Sequence, residues 1–251
     1  MSPRDPAASP PRFSVIIPAY NEAAFLPRLL DSVDAARARC AGGPGAVEVV
    51  VADNASPDAT SEIARSRDCR VVLVEKRTIG AARNGGARAS RGEVLAFVDA
   101  DSRIHPETFN AIERALSTGR FVAGATGVRM ERMSPGIGLT FLLFLPLVWA
   151  TGMDTGVVFC RREDFHAVGG YDEGRLFGED VVFLFRLSRR GRLTRRRLTR
   201  LKEAKAVASA RKFDRYGDWH YFRLIARMTL RLFSPRALSA IAREYWYEPD
   251  R

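Results

Sequence analysis

Cysteine and histidine are scarce, with three of each in 251 residues. Cys40, Cys69 and Cys160 are widely spaced, and no CxxC pair or Cys/His group of zinc spacing exists, so a disulfide framework and a structural zinc are disfavoured and a reducing compartment fits. His105, His166 and His220 have no adjacent metal-type partner and read as structural or surface residues; no Ser, Cys or His triad is visible. Residues Met1 to Arg12 lack an apolar signal core and read as a disordered lead, not an export signal. A bilayer-spanning run is missing too. The most apolar stretch, Ile137 to Gly152, falls short of the ~20 residues needed and contains Pro146, so it reads as a buried or interfacial segment. No GxGxxG follows the first strand, which disfavours a nicotinamide dehydrogenase. Acid is in deficit: 29 Asp and Glu against 40 Lys and Arg leave a net charge of +11, which suggests nucleic acid, an anionic membrane or phosphorylated substrates as partners.

What is present is an ordinary folded composition, 46% hydrophobic and 27% charged, with length for one substantial α/β domain. Phe13 to Pro18, Val47 to Ala52, Val71 to Val74 and Val94 to Val98 read as strands. Between them lie helical patterns: Phe25 to Val33, Thr60 to Arg65, and a Gly/Ala/Asn-rich helix from Gly80 to Ser90. The alternation predicts a mainly parallel, Rossmann-like sheet. Ligands in such sheets bind beyond the carboxyl ends of the strands, where Asn21, Glu22, Asp53, Asp99 and Asp101 collect.

Two acidic pairs carry the chemistry. Asp99 and Asp101, two apart on an extended segment, point the same way and suit Mg²⁺ or Mn²⁺ completed by phosphate oxygens; a solvent-exposed strand end is the plainer alternative. Glu179 and Asp180 open the helix Val181 to Arg189, either as a general base or as ordinary acids of a helix N-terminus.

Five ordered blocks, FSVIIPAYNE (Phe13 to Glu22), VVVADNASPD (Val49 to Asp58), GAARNGG (Gly80 to Gly86), FVDAD (Phe97 to Asp101) and VGGYDEGRLFGED (Val168 to Asp180), resemble the family 2 glycosyltransferases. The resemblance covers Phe13 to Gly191 and implies a GT-A fold, an inverting hexosyltransferase-type activity, a UDP-, GDP- or TDP-linked sugar donor, and Mn²⁺ or Mg²⁺. It implies that Pro18, Ala19 and Glu22 border the nucleotide and that Asp53 bonds the base or ribose. Gly80, Arg83 and Asn84 would close over the diphosphate, Asp99 and Asp101 would hold the metal, and Asp180, with Glu179 beside it, would be the base. The second block reads Asp53-Asn54 where the family often shows two aspartates, so Asn54 lacks a charge. No QxxRW block of processive synthases is present, which favours single-sugar transfer, and Arg211 and Lys212 are either diphosphate ligands or surface charges.

The chain divides into a lead (1–12), a GT-A catalytic domain (13–210, nucleotide half 13–101 and acceptor half 102–210) and a basic amphipathic helical extension (211–251). The Arg-dense run Arg186 to Lys205 carries no aromatics, which argues against nucleic acid and raises membrane contact, with a solvated face as the plainer reading. Trp219 to Phe233, with Arg223, Arg227 and Arg231 at four-residue intervals, reads as a basic amphipathic helix. With Leu139 to Trp149 it could dock on an inner membrane face and meet a lipid-linked acceptor; packing on the domain or on a second subunit fits the same pattern. The placement expected is cytoplasmic, peripheral on that face, with the oligomeric state open. A nucleotidyltransferase, or a catalytically silent GT-A module binding membrane or nucleic acid, is the alternative function.

Overall fold

The structure, a computed structural model, describes residues 10–151, 153–176, 178–230 and 240–241. Strands β1 (Phe13–Ala19), β2 (Val47–Asp53), β3 (Arg70–Leu73) and β4 (Val94–Phe97) alternate with helices α1 (Leu26–Arg39), α2 (Thr60–Ser66) and α3 (Ile79–Ala89), as the sequence pattern predicts. After α4 (Thr108–Ser117) come β5 (Phe121–Ala125), β6 (Val128–Met130), α5 (Pro135–Thr151), β7 (Val158–Arg161) and α6 (Arg162–Ala167). Then follow α7 (Glu179–Leu193), β8 (Arg197–Arg200), β9 (Ala206–Ala208), α8 (Arg211–Tyr216) and α9 (His220–Leu230).

Seven strands form one sheet in the order β3-β2-β1-β4-β7-β5-β8, and β6 pairs with β9 in a two-stranded sheet. Pairings β1–β2, β1–β4, β2–β3 and β5–β8 are parallel, while β7 runs antiparallel to both β4 and β5. Strand β1 is buried at every position, which is why it reads as an unbroken apolar run. One face of the sheet packs Val15, Ile17 and Val51 against Leu26, Leu29 and Val33 of α1 and Ile112 and Leu116 of α4. The other packs Ile16, Leu95 and Phe97 against Phe165, Tyr171, Phe183 and Leu187.

Three expectations change. The lead is ordered at its end: the Arg12 carbonyl accepts from Val94 N–H at 2.9 Å, and its guanidinium is held by Glu93 and Glu113. Residues 1–9 lie outside the described residues. Of the two alternatives for the apolar stretch, simple burial holds only at the start of α5, where Ile137 and Thr140 are buried, while Leu142 and Leu143 are 61% and 50% exposed. The basic run is not one solvated face: Asp164, fully buried, accepts from both Nη atoms of Arg196 at 2.8 Å and from Arg190 Nε at 3.3 Å, and Arg200 bonds Asp154. A buried carboxylate needs such partners, so part of the arginine density is internal architecture. The amphipathic helix is described to Leu230; residues 231–233 of that expectation lie outside the described residues.

Candidate active site

The parallel strands β1, β2 and β4 end on one rim, where the chain turns sharply and exposes side chains instead of β-ladder. After β1, Asn21 takes a left-handed backbone (φ 55°), which brings the Glu22 N–H to Thr60 Oγ1 at 2.9 Å and ties the first loop to α2. Pro18 and Ala19 are buried within β1 beneath this turn. Asp53 closes β2: its Oδ1 accepts from Ser56 N–H at 2.9 Å and its Oδ2 from the Ser61 hydroxyl, so the carboxylate is fixed in place. Beyond β4 stand Asp99 and Asp101.

Two arginines organise the acids. Arg83, on α3 and 4% exposed, donates Nη2 to Asp99 at 2.9 Å and Nη1 to Asp180 at 2.6 Å and Glu179 at 3.0 Å, while its guanidinium covers the Tyr171 ring at 5.0 Å. Arg211, at the start of α8, grips Glu22 with both Nη atoms, at 2.9 and 2.7 Å, and places Nε 2.9 Å from Asp101. Five carboxylates therefore meet on one rim, with Lys212 near Asp101 and Asp99 as a third cation. Burial leaves the excess acid poorly compensated. It raises Glu22 to about 7, with Asp101 and Asp99 adding to the rise against the pull of Arg211; it raises Asp101; and it raises Asp180 to about 6 against the pull of Arg83. The Lys212 ammonium is lowered by the same burial.

This donor set suits a hard divalent cation. Asp99 and Asp101 each give one oxygen to an arginine, through Oδ1 and Oδ2 respectively, and the second oxygen of each can ligate. Among the described residues no group of three metal-ligating side chains is placed to hold an ion, so an ion bound by Asp99 and Asp101 would need its remaining ligands from substrate and water.

Other residues from the sequence reading stand elsewhere. Asn84 Oδ1 accepts from Tyr171 N–H at 2.9 Å, and its Nδ2 donates to the Tyr171 carbonyl and to Glu173. At Gly80 a Cβ would meet the Asp172 carbonyl at 2.9 Å. Both residues form the seam between α3 and the 171–173 loop, and Arg83 faces carboxylates. Asn54 donates to the carbonyls of Val74 at 2.6 Å and Lys76 at 2.8 Å, which an aspartate could not do. Sequence reading missed Tyr171 as the floor beneath Arg83 and Arg77, which covers the Tyr20 ring at 4.0 Å on the rim. No spacing rule signals either. Two surface cavities, of about 470 and 550 Å³, carry none of the five acids.

The model of glycosyl transferase family 2 matches residues 14–136, which contain every strand-end acid described above. The validoxylamine A glucosyltransferase of Streptomyces hygroscopicus subsp. limoneus is 36% identical over 227 residues, covering 72% of this chain and 49% of the relative. The chain belongs to glycosyl transferase family 2. A second family relative, the undecaprenyl-phosphate 4-deoxy-4-formamido-L-arabinose transferase of Pseudomonas paraeruginosa, is 37% identical over 119 residues, 45% of this chain and 34% of its own length. The chain thus spans half or less of these curated relatives. Among solved structures, a mannosyltransferase from Pyrobaculum calidifontis in complex with GDP-Man and Mn²⁺ superposes with a TM-score of 0.65 at 22% identity, covering 95% of this chain and 70% of the other. The mixed sheet flanked by helices is the GT-A fold of such neighbours.

Proposed function

We propose that the chain moves a single hexose from a nucleotide-diphosphate sugar to an acceptor hydroxyl, with inversion and with a divalent metal, Mn²⁺ or Mg²⁺. The observation that carries this reading is the Arg83 bridge, which joins Asp99 of the donor rim to Glu179 and Asp180 through one buried guanidinium. Single displacement needs its leaving group stabilised on one side of the anomeric carbon and a base aligned on the other, and the bridge sets that spacing.

Asp53, immobilised by Ser56 and Ser61, offers its carboxylate edge to the nucleoside, with Pro18, Ala19 and Glu22 alongside. A divalent cation held by Asp99 and Asp101, when bound, supplies positive charge to the departing diphosphate. Lys212 and Arg211 lie on the same side and add to that charge. Asp180, ionised above about pH 6 and pinned by Arg83, takes the acceptor proton as the acceptor oxygen bonds to the anomeric carbon and the sugar–phosphate bond breaks, its electron pair leaving with the nucleoside diphosphate. No covalent intermediate on the protein is needed.

Residues 13–101 serve as nucleotide half, 102–210 as acceptor half. The acceptor class that fits best is lipid-linked, supported by the undecaprenyl-phosphate named for one relative and by the exposed apolar surface of α5. With such an acceptor, the proposed site of action is the cytoplasmic face of a membrane.

Thermal-shift titration with UDP-, GDP- and TDP-sugars, with and without Mn²⁺, on the native chain and on Asp101→Ala, tests the reading, since a ligand bound only by the folded state raises its apparent stability. One nucleotide should give a Mn²⁺-dependent rise that the variant loses. Absence of a shift with every donor would overturn the donor site and leave a non-catalytic binding module.

A further inference from the structure

Helix α5 carries no charged residue over its 17 positions, and its middle is exposed: Leu139, Phe141, Leu142, Leu143 and Phe144 are between 37% and 61% accessible. With about 3.6 residues per turn, these five positions point to all sides of the helix, so no single packing face could cover them. A helix apolar all round belongs within an apolar medium. At about 1.5 Å per residue α5 reaches only ~25 Å, less than the ~30 Å hydrocarbon core. No described helix is long and apolar enough to cross a membrane. Embedding within one leaflet is the arrangement these dimensions allow.

The base of α5 is fixed to the C-terminal helices. Arg132 Nε donates to Asp214 at 2.7 Å and its Nη2 to Asp218 at 2.7 Å. Gly136 lies so close to Asp218 that a Cβ would meet the Asp218 carbonyl at 2.7 Å. Trp219, next in the chain, is 52% exposed, and Arg215, Arg223 and Arg227 are exposed on α8 and α9. Helix α9 holds no acid, and Arg132 neutralises Asp214 and Asp218. An exposed apolar helix, an exposed tryptophan and exposed arginines are thus joined through the Arg132–Asp214–Asp218 contacts, and α8 also carries Arg211 to the donor rim. Tryptophan prefers the head-group level, and cations there are drawn to anionic lipid.

We propose that these elements form a membrane-docking surface, with α5 inserted in the outer part of an anionic leaflet, Trp219 at the interface, and Arg215, Arg223 and Arg227 on the lipid phosphates. As the surface that brings an acceptor to the site, it rests on the lipid-linked acceptor class proposed above; as a binding surface it needs no catalysis.

Co-sedimentation of the full chain with phosphatidylglycerol or phosphatidylcholine vesicles, without donor, tests it. The native chain should bind phosphatidylglycerol and little phosphatidylcholine. Leu142→Glu with Leu143→Glu should weaken binding by about tenfold or more. Arg223→Glu with Arg227→Glu should weaken phosphatidylglycerol binding and its salt dependence together. Native protein left in the supernatant with phosphatidylglycerol, or binding unchanged in the Leu142/Leu143 variant, overturns the proposal. So does a dimer in light scattering that this variant dissolves while no vesicle is bound, which would make α5 a self-association face. Unfolding temperatures of the same variants report folding, and their nucleotide-dependent thermal shift reports the donor site. In the native chain, no vesicle binding with an intact nucleotide shift would refute docking alone, and vesicle binding with no nucleotide shift would refute the donor site alone.

Discussion

Arg83 Nη1 lies 2.6 Å from Asp180 Oδ1, across 97 residues of sequence, while Nη2 of the same guanidinium holds Asp99. One side chain therefore sets the separation between the donor acid and the proposed base. Because it is 4% exposed and is the arginine partner of the largely buried Glu179 and Asp180 as well as of the exposed Asp99, its removal strips two poorly solvated carboxylates of their cation. Arg83→Met is expected to cost about 3–5 kcal/mol of stability. Arg83→Lys keeps the charge without the fork, so it should fold with a much smaller loss yet show a kcat reduced on the order of 10²-fold at near-native KM. Denaturant unfolding and steady-state kinetics check both; a kcat loss restored by lysine would contradict a positioning role.

Asp180→Asn should lower kcat by about 10²–10⁴-fold while leaving Mn²⁺-dependent nucleotide binding in place. The native enzyme should show an acid limb near pH 6, because burial raises Asp180 from its ordinary 3.8 to about 6. The stability sign is opposite to that of an aspartate whose carboxyl is lowered by its partner, because here burial outweighs the pull of Arg83. The folded state favours the protonated form, so this group's contribution is full below pH 3.8 and is lost as pH rises through about 6. A pH–kcat profile flat from pH 5 to 8 would remove Asp180 from the base role. The anomeric configuration of the product, read by NMR, checks inversion.

Asn54→Asp restores the residue that family members often carry, yet it should harm this chain. The amide donates to the carbonyls of Val74 and Lys76, and a carboxylate would face two oxygens with nothing to give them. A loss of about 1–3 kcal/mol is expected, with nucleotide preference unchanged. Calorimetry of the variant decides the first point and competition among donors the second.

Arg211 pairs with Glu22 and with Asp101, one of the two carboxylates proposed to hold the cation. Its replacement by Met should strengthen Mn²⁺ binding in the absence of nucleotide, by on the order of tenfold, because a competing positive charge is gone. Weaker Mn²⁺ binding by isothermal titration would show instead that Arg211 orders the acids for the metal.

Much of this architecture is legible in the sequence. Strands β1, β2 and β4 are buried, so they show as apolar runs, and the acids that end them fall together because parallel strands finish on one rim. Helix α7 follows from its acidic start and apolar spacing. What escaped reading depends on contacts distant in sequence. GAARNGG marks Arg83 but not the carboxylates at Glu179 and Asp180 that it reaches. Arg196 looks like one more surface cation until Asp164 is found beneath it, and Arg12 looks like a tail residue until Glu93 and Glu113 meet it. The boundary placed at residue 210 separates Arg211 from the site it completes, because composition changes there while the ion pairs cross it.

The tight approach of Gly80 to the Asp172 carbonyl, reinforced by the Asn84 bonds to Tyr171 and Glu173, bears on which contacts around the rim can part. With no room for even a methyl group in that joint, α3 and residues 171–173 are closely seated against each other. Segment α8 is held to the rim differently, by the ion pairs of Arg211 with Glu22 and Asp101 and by Arg211 over the Phe25 ring at 4.9 Å, with Ala210 and Phe213 buried behind it.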